Sequence, residues 1–351
     1  MTIHSIPRIG FACKWIDTPE QVDGIGPKDA AKELNLMGTT VAWLKRQTAS
    51  VADDKMWSII RHNLSATKRL VERVGELDDS LRMVRLGSDI LPMYTEPTYR
   101  VFYHQPAVKS FCENGFNEIG AVARARGVRL SFHPGQFVVL ASESDNIVAR
   151  SIEEFEYHVD MARWMGYGRE FQDIKINVHI SGKRGAQGIR DVYGRLSPEA
   201  RNCLTIENEE NSHGLADCLT ISDLVPIVLD VHHHWCREGV YIQPDDPMVQ
   251  QVIDSWRGQR PTMHYSVSRE DVLVGHSPTV APDFGLLLTQ GYKKQKMRAH
   301  SDFYWNAGVN EWAAGFADRF DIMCEAKGKN IASFKFAEFV KAVQARRQEQ
   351  D

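Results

Sequence analysis

Short apolar runs alternate along this chain with longer stretches in which apolar residues recur three and four positions apart. Arg8–Cys13, Leu81–Leu86, Val128–Phe132, Ile174–Val178, Leu204–Ile206, Ile227–Leu229, Thr262–Tyr265 and Ile322–Cys324 make eight runs of strand length, bounded by turn formers or charged residues. Lys28–Arg46, Met56–Val74, Ala107–Arg126, Ile152–Met165 and Met248–Trp256 carry the helical spacing of segments that cover one face of a sheet. Regular alternation of the two predicts parallel strands with helical crossovers, and eight of them predict an α/β fold of the TIM (β/α)8 barrel class. Residues 266–300, between the seventh and eighth strands, are too long and too rich in Gly and Pro for an economical connection. They are expected to form an elaborated loop or a small subdomain. Asn330–Gln348 reads as an amphipathic helix that closes the barrel with Phe334, Phe336 and Phe339 partly buried.

Composition narrows this picture without redrawing it. The 351 residues leave room for two domains or for one elaborated barrel. No repeat, low-complexity run or Ser/Pro linker forces a boundary, so residues 1–351 read as a single catalytic domain. Hydrophobic residues at 43% supply a large core and exclude general disorder. Lys and Arg number 42 against 46 Asp and Glu, a formal charge of −4, which argues against a non-specific nucleic-acid coat. A local basic patch or bound cations can still reverse that field. Cys13, Cys112, Cys203, Cys218, Cys236 and Cys324 are scattered without a Cys-x-x-Cys pair, so reduced thiols are expected rather than structural zinc or a dithiol centre. No leader-like segment opens the sequence and no stretch reaches bilayer-spanning length; the expected location is cytoplasmic, or nucleoid-associated if bacterial.

The chemistry lies where the strands end. The third strand runs into His133, the fourth into His179, the fifth into Glu207 and the sixth into Asp230-Val-His232-His233-His234, while His264 lies in the seventh, His300 precedes the eighth and Glu325 closes it. Barrel strands bring these distant ends together at one face. His133, His179, Glu207, Asp230, His233, His264, His300 and Glu325 can therefore converge. Several buried carboxylates need compensation, which divalent cations provide, and mixed imidazole and carboxylate donors suit manganese, iron or zinc. The donors outnumber the needs of one tetrahedral centre, which argues for two or three ions and makes phosphodiester hydrolysis a strong candidate. Asp230 and His233 are three apart, a spacing a turn can bend toward one metal. His232 and His234 divide between supporting the ligands and packing the loop.

These residues sit in an ordered series of motifs: His62-Asn63-Leu64, Arg85-Leu-Gly-Ser-Asp-Ile-Leu-Pro92, Arg129-Leu-Ser-Phe-His-Pro-Gly-Gln136, Leu204-Thr-Ile-Glu-Asn208, Asp230-Val-His-His-His234 and Glu325-Ala-Lys327. Over most of its length the chain thereby resembles the UV damage endonuclease family. The resemblance implies a metal-dependent TIM barrel, related in architecture to apurinic-site endonucleases, that incises DNA immediately 5′ to ultraviolet lesions and some other distortions. It implies that the same eight residues hold a cluster, commonly of manganese, with His133, Glu207, His264 and Glu325 as the catalytic set. Metal-activated water would attack phosphorus and leave a 3′ hydroxyl and a 5′ phosphate. The partner implied is damaged double-stranded DNA, handled by a monomer with no obligatory protein partner and no membrane.

The resemblance also assigns Gln136 and Phe137 to probing the damaged duplex, where an aromatic ring replaces lost base stacking. Phe11 is a further candidate aromatic surface, and Lys293, Lys294, Lys296 and Arg298 form a cationic run suited to backbone phosphates. Departures accompany the matches. Thr262 stands where the family has a metal-associated carboxylated lysine, and near Glu96 an expected histidine ligand has no equivalent; Glu96 either substitutes for it or occupies an altered loop. Phe137 and Phe11 lack the hydroxyl of the tyrosines seen in some relatives. Two other readings stay open: a metal-dependent sugar isomerase or epimerase on the same barrel, and a catalytically weak protein that binds DNA damage.

Overall fold

Each of the eight apolar runs becomes a strand. The computed structural model describes residues 6–20 and 31–349, and in it β1 (Ile9–Ala12), β2 (Met83–Arg85), β3 (Arg129–Phe132), β4 (Lys175–His179), β5 (Leu204–Glu207), β6 (Ile227–Val228), β7 (Thr262–Tyr265) and β8 (Asp321–Cys324) form one sheet. All its ladders are parallel, in the order β6-β5-β4-β3-β2-β1-β8-β7. Between β6 and β7 a single parallel bridge, Asp230 to His264, completes the barrel, with the His264 N–H donating to Leu229 O at 3.0 Å.

Helices wrap the outside. Ala49–Val74 follows β1 and buries Ala52, Met56, Ile59, Ile60, Leu64, Leu70, Val71 and Val74, the stripe predicted by its spacing. Pro106–Ala125 and Asp145–Trp164 cover the next two crossovers. Gly120 lets the first of these come close to the end of the second, since a Cβ there would meet Met165 O at 2.0 Å. The last helix, Lys329–Gln348, lies on β1 and buries Phe336 and Val340. Among the described residues no helix is long and apolar enough to cross a membrane.

The stretch expected as one helix over Lys28–Arg46 is broken. Residues 28–30 lie outside the described residues; beyond them a short turn at Lys32–Leu34 and a helix at Val41–Leu44 are separated by Gly38 and two threonines, and Thr40 caps the second by accepting from Trp43 N. Such caps start new helices rather than extend old ones. Residues 266–300 contain two short helices, Phe284–Thr289 and Lys294–Met297.

Alternation along the strands decides what faces where. Leu130, Phe132, Ile176, Val178, Leu204, Ile206, Met263 and Ile322 all pack in the core beneath the helices, whereas Ala12, Met83 and Met323 form a separate small cluster. The intervening positions point inward, and most are polar: Arg85, Arg129, Ser131, Lys175, Asn177, Thr205, Glu207, Thr262 and His264. Barrels of this kind are ordinarily filled by Val, Ile and Leu. Here the apolar face of every strand turns outward, and the interior is a stack of hydrogen-bonding groups.

At the N-terminal end of that stack Asp321 is 3% exposed in its side chain and paired on both oxygens, with Arg129 at 2.6 Å and Arg260 at 2.8 Å. It also accepts from Arg8 N at 2.9 Å, and Arg260 caps the carbonyls of Ala317, Asp318 and Phe320. At this end the buried carboxylate is fully paired by protein groups.

Candidate metal centre

The C-terminal end gathers the histidines and carboxylates. Glu207, at the last position of β5 and 0% exposed, is the hub. Its Oε2 lies 3.3 Å from His133 Nε2 and 3.6 Å from His179 Nε2, and its Oε1 lies 3.1 Å from His264 Nδ1 and 3.5 Å from His233 Nδ1. The Asn177 amide donates to Oε2 in a very short contact, and Thr205 donates to Asn177 Oδ1 at 2.8 Å, so the carboxylate cannot swing. His133 and His179 face each other at 3.0 Å between Nε2 atoms.

Asp230 and Glu325 flank the hub. Asp230 caps the helix Val231–Glu238, its Oδ1 accepting from His233 N at 2.7 Å. Its Oδ2 is buried and has no hydrogen-bond partner among the described residues. The Asp230-x-x-His233 spacing therefore sits on the first turn of a helix, which sends His233 back over the aspartate that caps it. Glu325 pairs with Arg85 in a very short contact and lies 3.4 Å from His264 Nδ1. His300 joins from the segment after residue 266, its Nδ1–H donating to Glu325 O at 3.0 Å.

Electrostatics repeats the crowding. Burial pushes Glu207 up, but His264 and His179 overcome it and hold the carboxyl well below its usual range. Burial likewise opposes, and Arg85 and His264 outweigh it, in holding Glu325 down. Asp230 goes the other way: burial takes it up to about 8 despite His233. Burial depresses His133 to about 3. For His179, burial is outweighed by Glu207 and Glu209, which raise it to about 9. An orphaned buried oxygen, one carboxyl holding its proton and neighbouring imidazoles pushed in opposite directions mark a site that protons satisfy poorly. Three groups of donors lie close enough to hold a cation, with all atoms in each group within 4.8 Å: His133, Glu207 and His264; Glu207, Asp230 and His233; Asp230, His264 and Glu325. Mixed nitrogen and oxygen donors fit a divalent transition metal.

Other candidates fall around this centre. Gln136 is exposed and Phe137 is 85% exposed, both on the rim of a cleft of about 1180 Å³ that also takes in Met37, Ser88, Val138 and Arg150. An unpacked phenylalanine of that exposure has no structural reason to be aromatic. Lys293 and Lys296 are exposed and Lys294 half-buried, while Arg298 pairs with Glu210 Oε1 at 3.0 Å, and Glu210 Oε2 lies 3.6 Å from His233 Nε2. Phe11 is corrected: it is 0% exposed and packs edge-on against Trp15 and Phe334. It shares the outward face of β1 with Ile9, and burying it there is worth roughly 2–3 kcal/mol, so it fills the core rather than offering a surface. Glu96 is spent locally, accepting from Thr98 N at 2.7 Å and Tyr99 N at 3.0 Å. His232 is buried against Trp235, and His234 is buried with Nδ1 unpartnered.

Sequence reasoning missed Arg85, Lys175, Asn177, Glu209 and Glu210 as parts of the site. The first three share a signal it did not use, the polar phase of strands such as Lys175-Ile-Asn-Val-His179.

Comparison with known proteins agrees with the architecture. The profile of the family described as UV-endonuclease UvdE matches residues 8–348. A UV DNA damage endonuclease of Bacillus velezensis is 25% identical over 350 residues, covering 96% of this chain and 94% of that protein. One from Bacillus cereus is 23% identical over 316 residues, covering 87% and 89%. Among solved structures, the crystal structure of SacUVDE superposes with a TM-score of 0.67 at 20% identity, over 98% of this chain and 99% of that one, and so shares the fold. With strands, site and full-length match in agreement, the chain belongs to the UV-endonuclease UvdE family.

Proposed function

We propose that this protein is a metal-dependent DNA repair endonuclease that cuts the phosphodiester bond 5′ to ultraviolet photoproducts, and also at abasic or other distorting lesions. One observation carries the reading. His133, Glu207, Asp230, His233, His264 and Glu325 meet at the barrel mouth in three cation-sized groups, with His179 and His300 against Glu207 and Glu325 and one Asp230 oxygen lacking a hydrogen-bond partner among the described residues, beside a cleft rimmed by an 85% exposed Phe137. Two or three divalent cations, manganese before zinc or iron, would be held by His133, His179, Glu207, Asp230, His233, His264, His300 and Glu325. Such ions supply water activation and neutralise charge developing at phosphorus.

The chain's own residues do the rest. Asn177 and Arg85 keep Glu207 and Glu325 in place. Gln136 and Phe137 engage bases that leave the stack, by hydrogen bonding and by ring stacking. Lys293, Lys294 and Lys296 take backbone phosphates and orient the duplex without reading sequence. Arg298, through Glu210, ties that basic run to the rim of the centre. An aromatic standing free at the cleft favours a duplex over a sugar, whose isomerisation needs an enclosing pocket.

The test is incubation of end-labelled duplexes bearing a cyclobutane dimer, a 6–4 photoproduct or an abasic site, with and without Mn2+. The expected product is a metal-dependent nick 5′ to the lesion. Failure of folded, metal-loaded protein to cut any of them sinks the reading. Lesion binding without nicking would select a damage-binding protein instead, the outcome that Thr262 keeps in view.

A further inference from the structure

The five histidines of the centre are not presented alike. In His133, His233 and His300 the Nδ1–H donates to a backbone carbonyl, of Pro134, Asn208 and Glu325 respectively, each at 3.0 Å. His179 turns Nδ1 toward Glu209 Oε1 at 3.5 Å. All four leave Nε2 free of these anchors, the usual arrangement in which an oxygen acceptor holds the far nitrogen of a ligating imidazole. His264 is reversed. Its Nδ1 lies among the carboxylates, 3.1 Å from Glu207 Oε1 and 3.4 Å from Glu325 Oε1, and its Nε2 faces Lys175 Nζ at 2.9 Å. Lys175 is 3% exposed, and that imidazole is its side chain's only hydrogen-bond partner among the described residues. Thr262, on the same inward face of β7 two residues earlier, is too short to reach the ring, so the lysine spans the barrel from β4.

We propose that Lys175 is the positioning residue that commits His264 to metal ligation through Nδ1. The inference rests on the metal-centre reading and adds to it a side chain that contacts no ion. Ligation through Nδ1 leaves the ring proton on Nε2, where Nζ accepts it as the neutral amine, and Lys175 thereby takes the place that a carbonyl or carboxylate takes for the other four. Without it the ring can turn over and offer Nε2, as its neighbours do, or leave the cluster.

The test uses the full chain labelled with 15N-histidine and loaded with 113Cd2+ as a diamagnetic probe. The wild type is expected to show one cadmium coupling to an Nδ1 nitrogen, lost in His264→Gln, with the remaining couplings to Nε2. In Lys175→Met that Nδ1 coupling disappears, and Mn2+ titration followed by electron paramagnetic resonance shows one ion bound about 10- to 100-fold more weakly, the range for loss of an orienting partner. Lys175→Gln, which keeps a polar group under the ring, recovers part of the affinity. Wild-type coupling at His264 Nε2 overturns the inference even if Lys175→Met does not fold. Wild-type Mn2+ affinity in folded Lys175→Met overturns it alone, whereas absence of cation binding by the wild type overturns the metal-centre reading together with it.

Discussion

The two ends of the barrel are built from the same residue types and settle their charge in opposite ways. At the N-terminal end one carboxylate, Asp321, meets two guanidiniums and a backbone N–H, and both of its oxygens are paired. At the C-terminal end Glu207, Asp230 and Glu325 crowd together with five imidazoles, one arginine and an Asp230 oxygen that has no hydrogen-bond partner among the described residues. Both arrangements sit in the same interior, only a few residues apart along β8, where Asp321 begins the strand and Glu325 follows it. The difference teaches where to look for function in a polar barrel. Buried charge is ordinary when its partners are protein groups; it signals chemistry when its accounts balance only with something added.

The comparison breaks most visibly by exchanging one carboxylate at each end. Glu207→Gln should lower Mn2+ affinity by more than about 100-fold, beyond the loss expected for an outer partner, and abolish nicking. The metal-free protein should lose some thermal stability, because His264 and His179 hold this carboxylate ionised, and added Mn2+ should no longer raise the melting temperature; a Mn2+-induced rise of wild-type size would put Glu207 among the structural pairs instead. Asp321→Asn should do the reverse. It strands Arg129 and Arg260, at a cost of about 3–5 kcal/mol in denaturant unfolding, while nicking per folded molecule stays unchanged.

A pH series sharpens the contrast. His179, raised to about 9, and Asp230, raised to about 8, each hold a proton in the folded state that the unfolded chain releases sooner. The contribution of His179 is therefore lost as pH rises from about 6.5 to about 9 and that of Asp230 as it rises from about 3.8 to about 8, so both are falling between about 6.5 and about 8. His133, depressed to about 3, slopes the opposite way below about 6.5, which is why the upper window is the informative one. Melting of chelator-treated protein should fall across that window, and melting of Mn2+-saturated protein should stay nearly level; equal slopes would mean that the ions do not displace these protons.

Smaller effects belong to the rim. Phe137→Ala should weaken lesion binding by about 1–3 kcal/mol with metal content unchanged, measured by fluorescence anisotropy on lesion and undamaged duplexes. Lys293→Ala should weaken both duplexes alike and reduce the slope of log affinity against log salt by about 0.9. A Lys293 effect confined to the lesion duplex would move that residue from orienting the backbone to sensing damage.

Much of this was legible in the chain. The strand positions followed from short apolar runs, because a parallel strand buried under helices has few ways to look otherwise. Strand-end His133, His179, Glu207, Asp230, His264 and Glu325 stood out because the fold brings those ends together. Phe11 misled because an aromatic next to a strand end looks the same whether it faces the helices or the mouth; only its phase with Ile9 tells. Lys28–Arg46 misled because its apolar spacing outvoted Gly38 and the threonine cap. Lys175 stayed invisible for a different reason. Its importance depends on which atoms of His264 it meets across the barrel, a relation between β4 and β7 that no local pattern records.

The seam between β6 and β7 deserves a last consequence. Every other neighbouring pair of strands is zipped by a ladder of at least two register positions, but this one is held by the single bridge from Asp230 to His264, both of them candidate ligands. Ions bound there would rivet the weakest join of the cylinder from the inside. Amide exchange at His264, whose N–H crosses the seam to Leu229, should then slow on loading far more than exchange elsewhere in the sheet. On the proposed function, the centre that cuts another polymer's backbone would also be the fastener of its own.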